Sequence, residues 1–116
     1  MLTIDIARDP RLNGPIVRMI GMADFAGMPQ LNAVLDRVAA PEPEIVVLDL
    51  EGLEFIGSAA IGALVEFRKQ IRSHGGRVLV AAASQYVGEC FRLSRLDHAF
   101  ERCASVEDAI TRIAAG

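Results

Sequence analysis

Two short, almost uninterrupted apolar runs constrain the fold of this chain more than any other feature. They are Glu44–Leu50 (EIVVLDL) and Arg77–Ala83 (RVLVAAA). A strand with one face in water alternates apolar and polar residues, so continuous apolar runs are typical of strands that are covered on both faces. Such strands occur where helices pack on a mostly parallel sheet. The sequence therefore predicts an α/β fold.

The amino-terminal segment predicts a hairpin. Leu2–Ala7 alternates apolar and polar residues, a turn signal follows at Asn13-Gly14-Pro15, and Ile16–Gly21 resumes an extended run. We expect these two strands to pair antiparallel. A short edge strand is predicted near the other end of the chain, at His98–Glu101.

Four segments have the apolar spacing of helices. They begin near Pro29, Ser58, Ser84 and Ser105, and Gly75-Gly76 is expected to end the second helix. We predict one domain over residues 1–116. It contains a mixed, mostly parallel sheet of four to five strands with an N-terminal hairpin and helices packed against it.

Composition excludes several classes of function. Twelve Lys and Arg stand against fifteen Asp and Glu, which gives a net charge of −3 and no basic surface for nucleic acid. The longest charge-free runs, such as Phe55–Val65, hold 11 residues, whereas a membrane span needs roughly 20. The first residues lack the basic and apolar regions of a signal peptide. We expect a soluble cytoplasmic protein with no direct membrane insertion.

The sequence predicts no metal or other cofactor. Cys90 and Cys103 lie 13 positions apart, a spacing that fits neither a redox pair nor a zinc site. They are expected to be free cysteines acting as small buried hydrophobes. His74 and His98 have no metal-ligating partners at a suitable spacing.

Catalytic signatures are also missing. Residues 57–62 have the Gly-to-Gly spacing of a phosphate-binding loop, but Ala63 occupies the position of the required Lys. Ser58 lacks the flanking glycines of a nucleophile elbow. A hydrolase built from Ser58, His98 and Asp49 is the remaining enzymatic alternative, and no motif supports it. We predict that the chain is not an enzyme.

The segment before the second predicted helix is the most informative. A buried strand leads through Glu51–Ile56 to Gly57 and then to Ser58, where we expect a helix N-cap. The small residues Ala59 and Gly62 would let another surface approach the start of this helix closely. From these residues alone, a simple helix cap is the plainest interpretation of Ser58.

Residues 45–64 (IVVLDLEGLEFIGSAAIGAL) resemble the signature of STAS domains, the family of anti-sigma factor antagonists, in which a strand precedes "DLSGVxFIDSSGLGxL". Further similarities follow in the family's order along most of the chain. They are Gly21–Asp24 (GMAD), residues 75–80 (GGRVLV), residues 91–100 (FRLSRLDHAF) and residues 104–110 (ASVEDAI).

The resemblance implies a binding switch. In this family the serine at the helix start is phosphorylated by an anti-sigma factor with serine-kinase activity, the phosphorylated form releases that partner, and a serine phosphatase reverses the step. Ser58 matches the phosphorylation site. The family includes monomers and homodimers. The expected partner-binding residues are Asp24, Glu54, Gly57, Ser58, Ala59 and Gly62.

The chain departs from the family pattern around the acceptor. Gly57 replaces the family's Asp, Ala59 its Ser or Thr, and Ala60 its Gly. Gly57 also permits a positive φ, so we expect a different loop path at this point. These departures favour an alternative in which the domain docks a transporter ATPase or a stress-signalling scaffold without a phosphorylation switch.

Overall fold

A computed structural model describes residues 1–95 and 100–115 of the chain. The strands are β1 (Leu2–Arg8), β2 (Pro15–Ala23), β3 (Ile45–Asp49), β4 (Leu53–Ile56), β5 (Arg77–Ala81) and β6 (Glu101–Cys103). The helices are α1 (Met28–Ala39), α2 (Ser58–Ser73), α3 (Gln85–Leu93) and α4 (Val106–Ala114), and a single 3₁₀ turn covers Phe25–Gly27.

The strands form one mixed sheet, with β1, β2, β3, β5 and β6 side by side in that order. β1 pairs antiparallel with β2, and the other pairings are parallel. These pairings confirm the predicted α/β fold and its N-terminal hairpin. The described part of the sheet has six strands rather than four to five.

The additional strand is β4, which we had expected to be part of a connection. β2 is nine residues long, and β3 pairs only with its first part, through Ile16–Arg18. After a turn the chain returns as β4 and pairs with the remainder, through Gly21–Ala23. The register shifts at Gly21, whose φ is +95° and whose missing side chain leaves room for the carbonyl of Met1. β4 therefore ends beside the end of β2.

Both faces of the central strands are buried, which explains the continuous apolar runs. On one face, Val46 and Leu48 pack in a cluster with residues of α1, α2 and α3. On the other face, Val47 and Leu79 pack against α4. Fully burying such a side chain stabilises the fold by about 1.5–3 kcal/mol. The two layers of helices hold the sheet, and with it the end of β4, in place.

The predicted helix ends are largely confirmed. The hydroxyls of Ser84 and Ser105 accept hydrogen bonds from the backbone N–H groups of Val87 (3.1 Å) and Asp108 (2.9 Å). Gly75 follows α2 with a φ of +88°. The N–H of Gly76 donates a hydrogen bond to the Ile71 carbonyl (2.9 Å), as in a Schellman cap.

The remaining sequence predictions have mixed outcomes. Cys103 is buried as expected, while Cys90 is half-buried, and both are free. An edge strand is present at Glu101–Cys103, but it shares only Glu101 with the predicted His98–Glu101. Phe100 lies outside the strand, and residues 98–99 lie outside the described residues. No helix in the described ranges is long and apolar enough to cross a membrane.

Candidate functional site

The candidate site is the junction between β4 and α2, where Gly57 connects the two elements. The N–H of Gly57 donates to the carbonyl of Ala23 at the end of β2 (3.0 Å). Its own carbonyl accepts the first hydrogen bond of α2 from Ile61 (3.0 Å). The start of the helix is therefore attached directly to the sheet.

The geometry corrects two predictions about this junction. The N-cap is Gly57, and Ser58 is the first residue of the helix. Because glycine has no side chain, no side-chain hydrogen bond caps α2. Gly57 also has a φ of −86° and a ψ of 166°, an ordinary extended conformation rather than the positive φ that its identity permitted. The junction follows a path that any residue could adopt.

Ser58 is exposed, and within the described ranges its hydroxyl makes no recorded hydrogen bond to the protein. A serine that caps a helix uses its oxygen to accept from the backbone, whereas this hydroxyl remains free. It is accessible to another protein at the surface. The predicted neighbours Glu54, Ala59 and Gly62 are also exposed, and Asp24 and Gly57 are half-buried.

Asp24 lies at this junction because of the pairing between β2 and β4. Ala23 is aligned with Ile56, so the residues that follow the two strands lie next to one another. The Asp24 side chain accepts a hydrogen bond from the N–H of Gly27 (3.2 Å) and caps the 3₁₀ turn. It therefore has a structural role in addition to any contact with a partner.

The local charge is negative. Asp24 and Glu54 contribute carboxylates, and neither β4 nor the first turn of α2 carries a basic residue. The first cation along α2 is Arg68, ten residues after Ser58 and about 15 Å along the helix axis. The positive end of the helix dipole is the only local feature of these two elements that would favour an added anion.

Aromatic side chains border the junction, and the sequence analysis did not identify them as part of the site. Phe25 follows Asp24 directly and is 84% exposed. Phe55, on β4, stacks on Tyr86 of α3 with 6.5 Å between ring centroids. The Cys90 side chain, one helical turn away, raises the pKa of Tyr86. An aromatic residue immediately beside a predicted exposed site is the sequence signal that could have indicated Phe25 and Phe55.

A groove of about 330 Å³ between α1 and α2 continues from the junction. Ala59 and Gly62 line it together with Met28 and Phe67. A side chain built on Gly62 would meet no atom within 4 Å, so tight packing in this chain does not require a glycine there. The small residues at the start of α2 leave the groove open to solvent.

The hydrolase alternative gains no support at this site. Asp49 is buried, and its two carboxylate oxygens accept from the Arg18 side chain (3.2 Å) and the Glu51 backbone (3.1 Å). His98 lies outside the described residues. Among those residues, no group of three or more side chains could hold a metal ion.

Comparisons with known proteins agree with this geometry. A family model of the STAS domain matches residues 3–109. Solved structures resemble the chain over nearly its whole length, among them an anti-sigma factor antagonist from Mycobacterium paratuberculosis. That structure has a TM-score of 0.87 and 23% identity, covering 98% of this chain and 95% of the other.

Three further solved structures are informative. The anti-sigma factor antagonist SpoIIAA in its unphosphorylated form has a TM-score of 0.81 and 20% identity, covering 98% of both chains. The phosphorylated form of SpoIIAA from Bacillus has a TM-score of 0.74 and 20% identity, covering 96% of this chain and 99% of the other. A sulfate transporter family protein from Wolinella succinogenes has a TM-score of 0.74 and 18% identity, covering 86% of this chain and 84% of the other. At these identities the likeness concerns the fold.

Proposed function

The chain belongs to the STAS domain family, and on this premise we propose that it is a regulatory binding module of the anti-sigma factor antagonist type, switched by phosphorylation of Ser58. Its partner would be an anti-sigma factor with serine-kinase activity, and a serine phosphatase would restore the unmodified form. The protein would act in the cytoplasm in transcription regulation, as a monomer or a homodimer, without catalysing a reaction itself.

The observation that carries this proposal is the exposed hydroxyl of Ser58 at the start of α2. A kinase needs a serine oxygen that is accessible and not used by the fold, and Ser58 meets both conditions. The structural likeness to a protein solved in both unphosphorylated and phosphorylated forms supports the idea that this fold tolerates the modification.

The charge around Ser58 predicts that phosphorylation weakens partner binding. A phosphate adds about −1.5 to −2 charges to a surface that already presents Asp24 and Glu54. No cation on β4 or the first turn of α2 would neutralise it, so the new charge would face the partner. A change of 1–3 kcal/mol in docking energy corresponds to a ~5–150-fold loss of affinity.

The test is to measure binding of the Ser58→Asp and Ser58→Ala variants to the candidate anti-sigma factor by calorimetry. We expect Ser58→Asp to lose ~5–150-fold in affinity and Ser58→Ala to bind like the unmodified protein. Incubation with that partner and ATP should add one phosphate to the natural protein, detected by intact mass, and none to Ser58→Ala.

A matched control is available on the same helix. Ser73 is exposed near the other end of α2, so Ser73→Asp introduces the same charge far from the junction. It should leave the affinity for the partner unchanged. If Ser58→Asp and Ser73→Asp behave alike, the charge at the junction does not control attachment.

The second candidate function is constitutive docking to a transporter ATPase or a stress-signalling scaffold. It is favoured by Gly57, which removes the family's carboxylate beside the acceptor, and by the likeness to a sulfate transporter family protein. It predicts no added phosphate from the kinase and equal partner binding by Ser58→Asp and Ser58→Ala. The same two measurements therefore distinguish the two functions.

A further inference from the structure

β1 is an edge strand, and its Arg8 end pairs with Pro15 at the start of β2, away from the Ser58 junction. Within residues 1–95 and 100–115, β1 pairs with β2 alone. The N–H of Met22 donates to the carbonyl of Met1 (3.0 Å), and in an antiparallel pair this bonding recurs at every second residue. The remaining backbone N–H and C=O groups of β1 point away from the sheet. They belong to Leu2, Ile4, Ile6 and Arg8.

This edge carries few of the features that normally block strand addition. β1 is seven residues long and contains no proline, and Ile6 is 42% exposed. Proteins usually protect an edge of this length with a bulge, a proline, inward-pointing charges or a covering loop. An edge that is left accessible can accept an extended segment of another protein by β-augmentation.

A cleft of about 430 Å³ adjoins the edge, between the end of β1 and the end of α1. Ile6 and Val38 contribute apolar surface to it. Arg8 and Arg37 also line it, and in the described ranges neither guanidinium has a recorded hydrogen bond or ion pair. Guanidinium groups bind carboxylates strongly and with defined geometry.

Two carboxylates also line the cleft, and they do not occupy the arginines. Glu44 accepts a hydrogen bond from the Asn13 side chain (2.8 Å). Glu42 is exposed and makes no recorded side-chain contact in the described ranges. Arg8 and Arg37 therefore remain available to an external carboxylate.

One row of side chains on β1 leads from the core into the cleft. Leu2 and Ile4 point toward the α1 side of the sheet, where they pack in the main core, and Ile6 continues this row into the cleft. A residue paired opposite Ile6 on an added strand would place its side chain on the same side. Its side chain would lie over the cleft, within reach of Arg8 and Arg37.

We propose that the free edge of β1 and this cleft form a docking site for an extended, acidic segment of another protein. Backbone hydrogen bonds to β1 would supply affinity. A glutamate or aspartate beside Arg8 and Arg37 would supply specificity. The cleft lies at the end of β1 away from the Ser58 surface, and the proposal does not depend on the phosphorylation switch.

The test is a titration of the ¹⁵N-labelled full chain with a blocked peptide in which valine alternates with glutamate. We expect the amide signals of Leu2–Arg8 to shift, and hydrogen exchange to slow at the four outward N–H groups, which belong to Leu2, Ile4, Ile6 and Arg8. The same peptide with lysine in place of glutamate should bind at least ~5-fold more weakly, since two exposed ion pairs contribute to the difference.

Two variants separate the backbone contribution from the charges. Ile6→Pro removes an N–H that faces outward and is not used in the β1–β2 pairing, so it should abolish peptide binding while the hairpin still forms. The double variant Arg8→Gln/Arg37→Gln should bind the glutamate peptide more weakly than the natural protein does and should no longer prefer it to the lysine peptide, because Glu42 and Glu44 remain in the cleft. Arg72→Gln, which removes an exposed cation at the end of α2, should bind as the natural protein does.

Three results would overturn the proposal. One is equal affinity of the natural protein for the two peptides, and another is signal shifts confined to other elements. The third is self-association through β1 in the absence of peptide, because a second copy of the chain would then be the occupant of the edge. The double arginine variant keeps the test decisive if Ile6→Pro does not fold.

Discussion

Replacing Gly57 with aspartate should stabilise the domain, and the junction geometry allows the size of the effect to be worked out. Gly57 has an extended conformation that any residue adopts, with a φ of −86°. A side chain built there would have its nearest neighbours, the Ala23 carbonyl and the Phe55 ring, at 3.6 Å, an ordinary contact distance. The substitution therefore introduces no strain or collision.

Three contributions add to the expected gain for Gly57→Asp. Reducing the freedom of the unfolded chain contributes about 0.4–1 kcal/mol. A side-chain cap in place of glycine contributes a few tenths of a kcal/mol. A negative charge at the helix start adds roughly 0.3–1 kcal/mol. Repulsion from the carboxylates of Asp24 and Glu54 removes part of this sum. We expect a net gain of about 1 kcal/mol, or about 3–5 °C in Tm for a domain of this size.

Urea and thermal denaturation of a short variant series would test this prediction. Gly57→Asn adds the cap without the charge, so it should give a smaller gain than Gly57→Asp. Gly57→Ala restricts the unfolded chain but is a poor N-cap, so its stability should stay close to that of the natural protein. The charge contribution requires an ionised carboxylate, so it should be present above about pH 4 and disappear at lower pH. A Gly57→Ala variant as stable as Gly57→Asp, or a destabilised Gly57→Asp, would refute the reasoning.

Two further predictions concern other parts of the fold. Ala82, just after β5, has a φ of +61°, so Ala82→Gly should raise the free energy of unfolding by about 0.5–1 kcal/mol in urea denaturation, and an unchanged value would contradict the strain. The Arg11 guanidinium lowers the pKa of Asp9 from 3.8 to about 2 and also lowers the pKa of Glu107. These folded-state pKa values are depressed, so the stabilisation is present above about pH 4 and is lost as the pH falls toward 2. Arg11→Gln should flatten this acid-side loss in denaturation curves measured between about pH 5 and 2, and an unchanged pH dependence would exclude the ion pairs as its source.

The sequence predicted those elements whose patterns are local. The helix starts at Ser84 and Ser105 were predicted because the serine and the apolar spacing of the helix that follows are adjacent in the chain. The hairpin was predicted because its two strands flank a turn signal. β4 was missed because Leu53–Ile56 is short and follows a charged turn, and its pairing partner is the distant end of β2.

The candidate site, like the fold, was predicted only where its sequence pattern is local. Its central residue follows from the motif around Ser58, but the N-cap was assigned one residue too late because serine is a strong capping residue and glycine a weaker one. The contact between Phe55 and Tyr86 joins β4 to α3, and their separation of 31 positions leaves no local pattern in the sequence. The position of Asp24 at the junction likewise depends on a strand pairing that was not foreseen.

The Ser58 junction and the arginine-lined cleft should act independently, because they lie at opposite ends of β2. Pro15 begins β2 and lines the cleft, while Ala23 ends it and accepts the hydrogen bond from Gly57. The nine residues of β2 span about 26 Å. The Debye length at physiological ionic strength is about 8 Å, so a charge on Ser58 is screened before it reaches Arg8. Phosphorylation could alter binding at the cleft only by moving the sheet, whose central strands are buried on both faces.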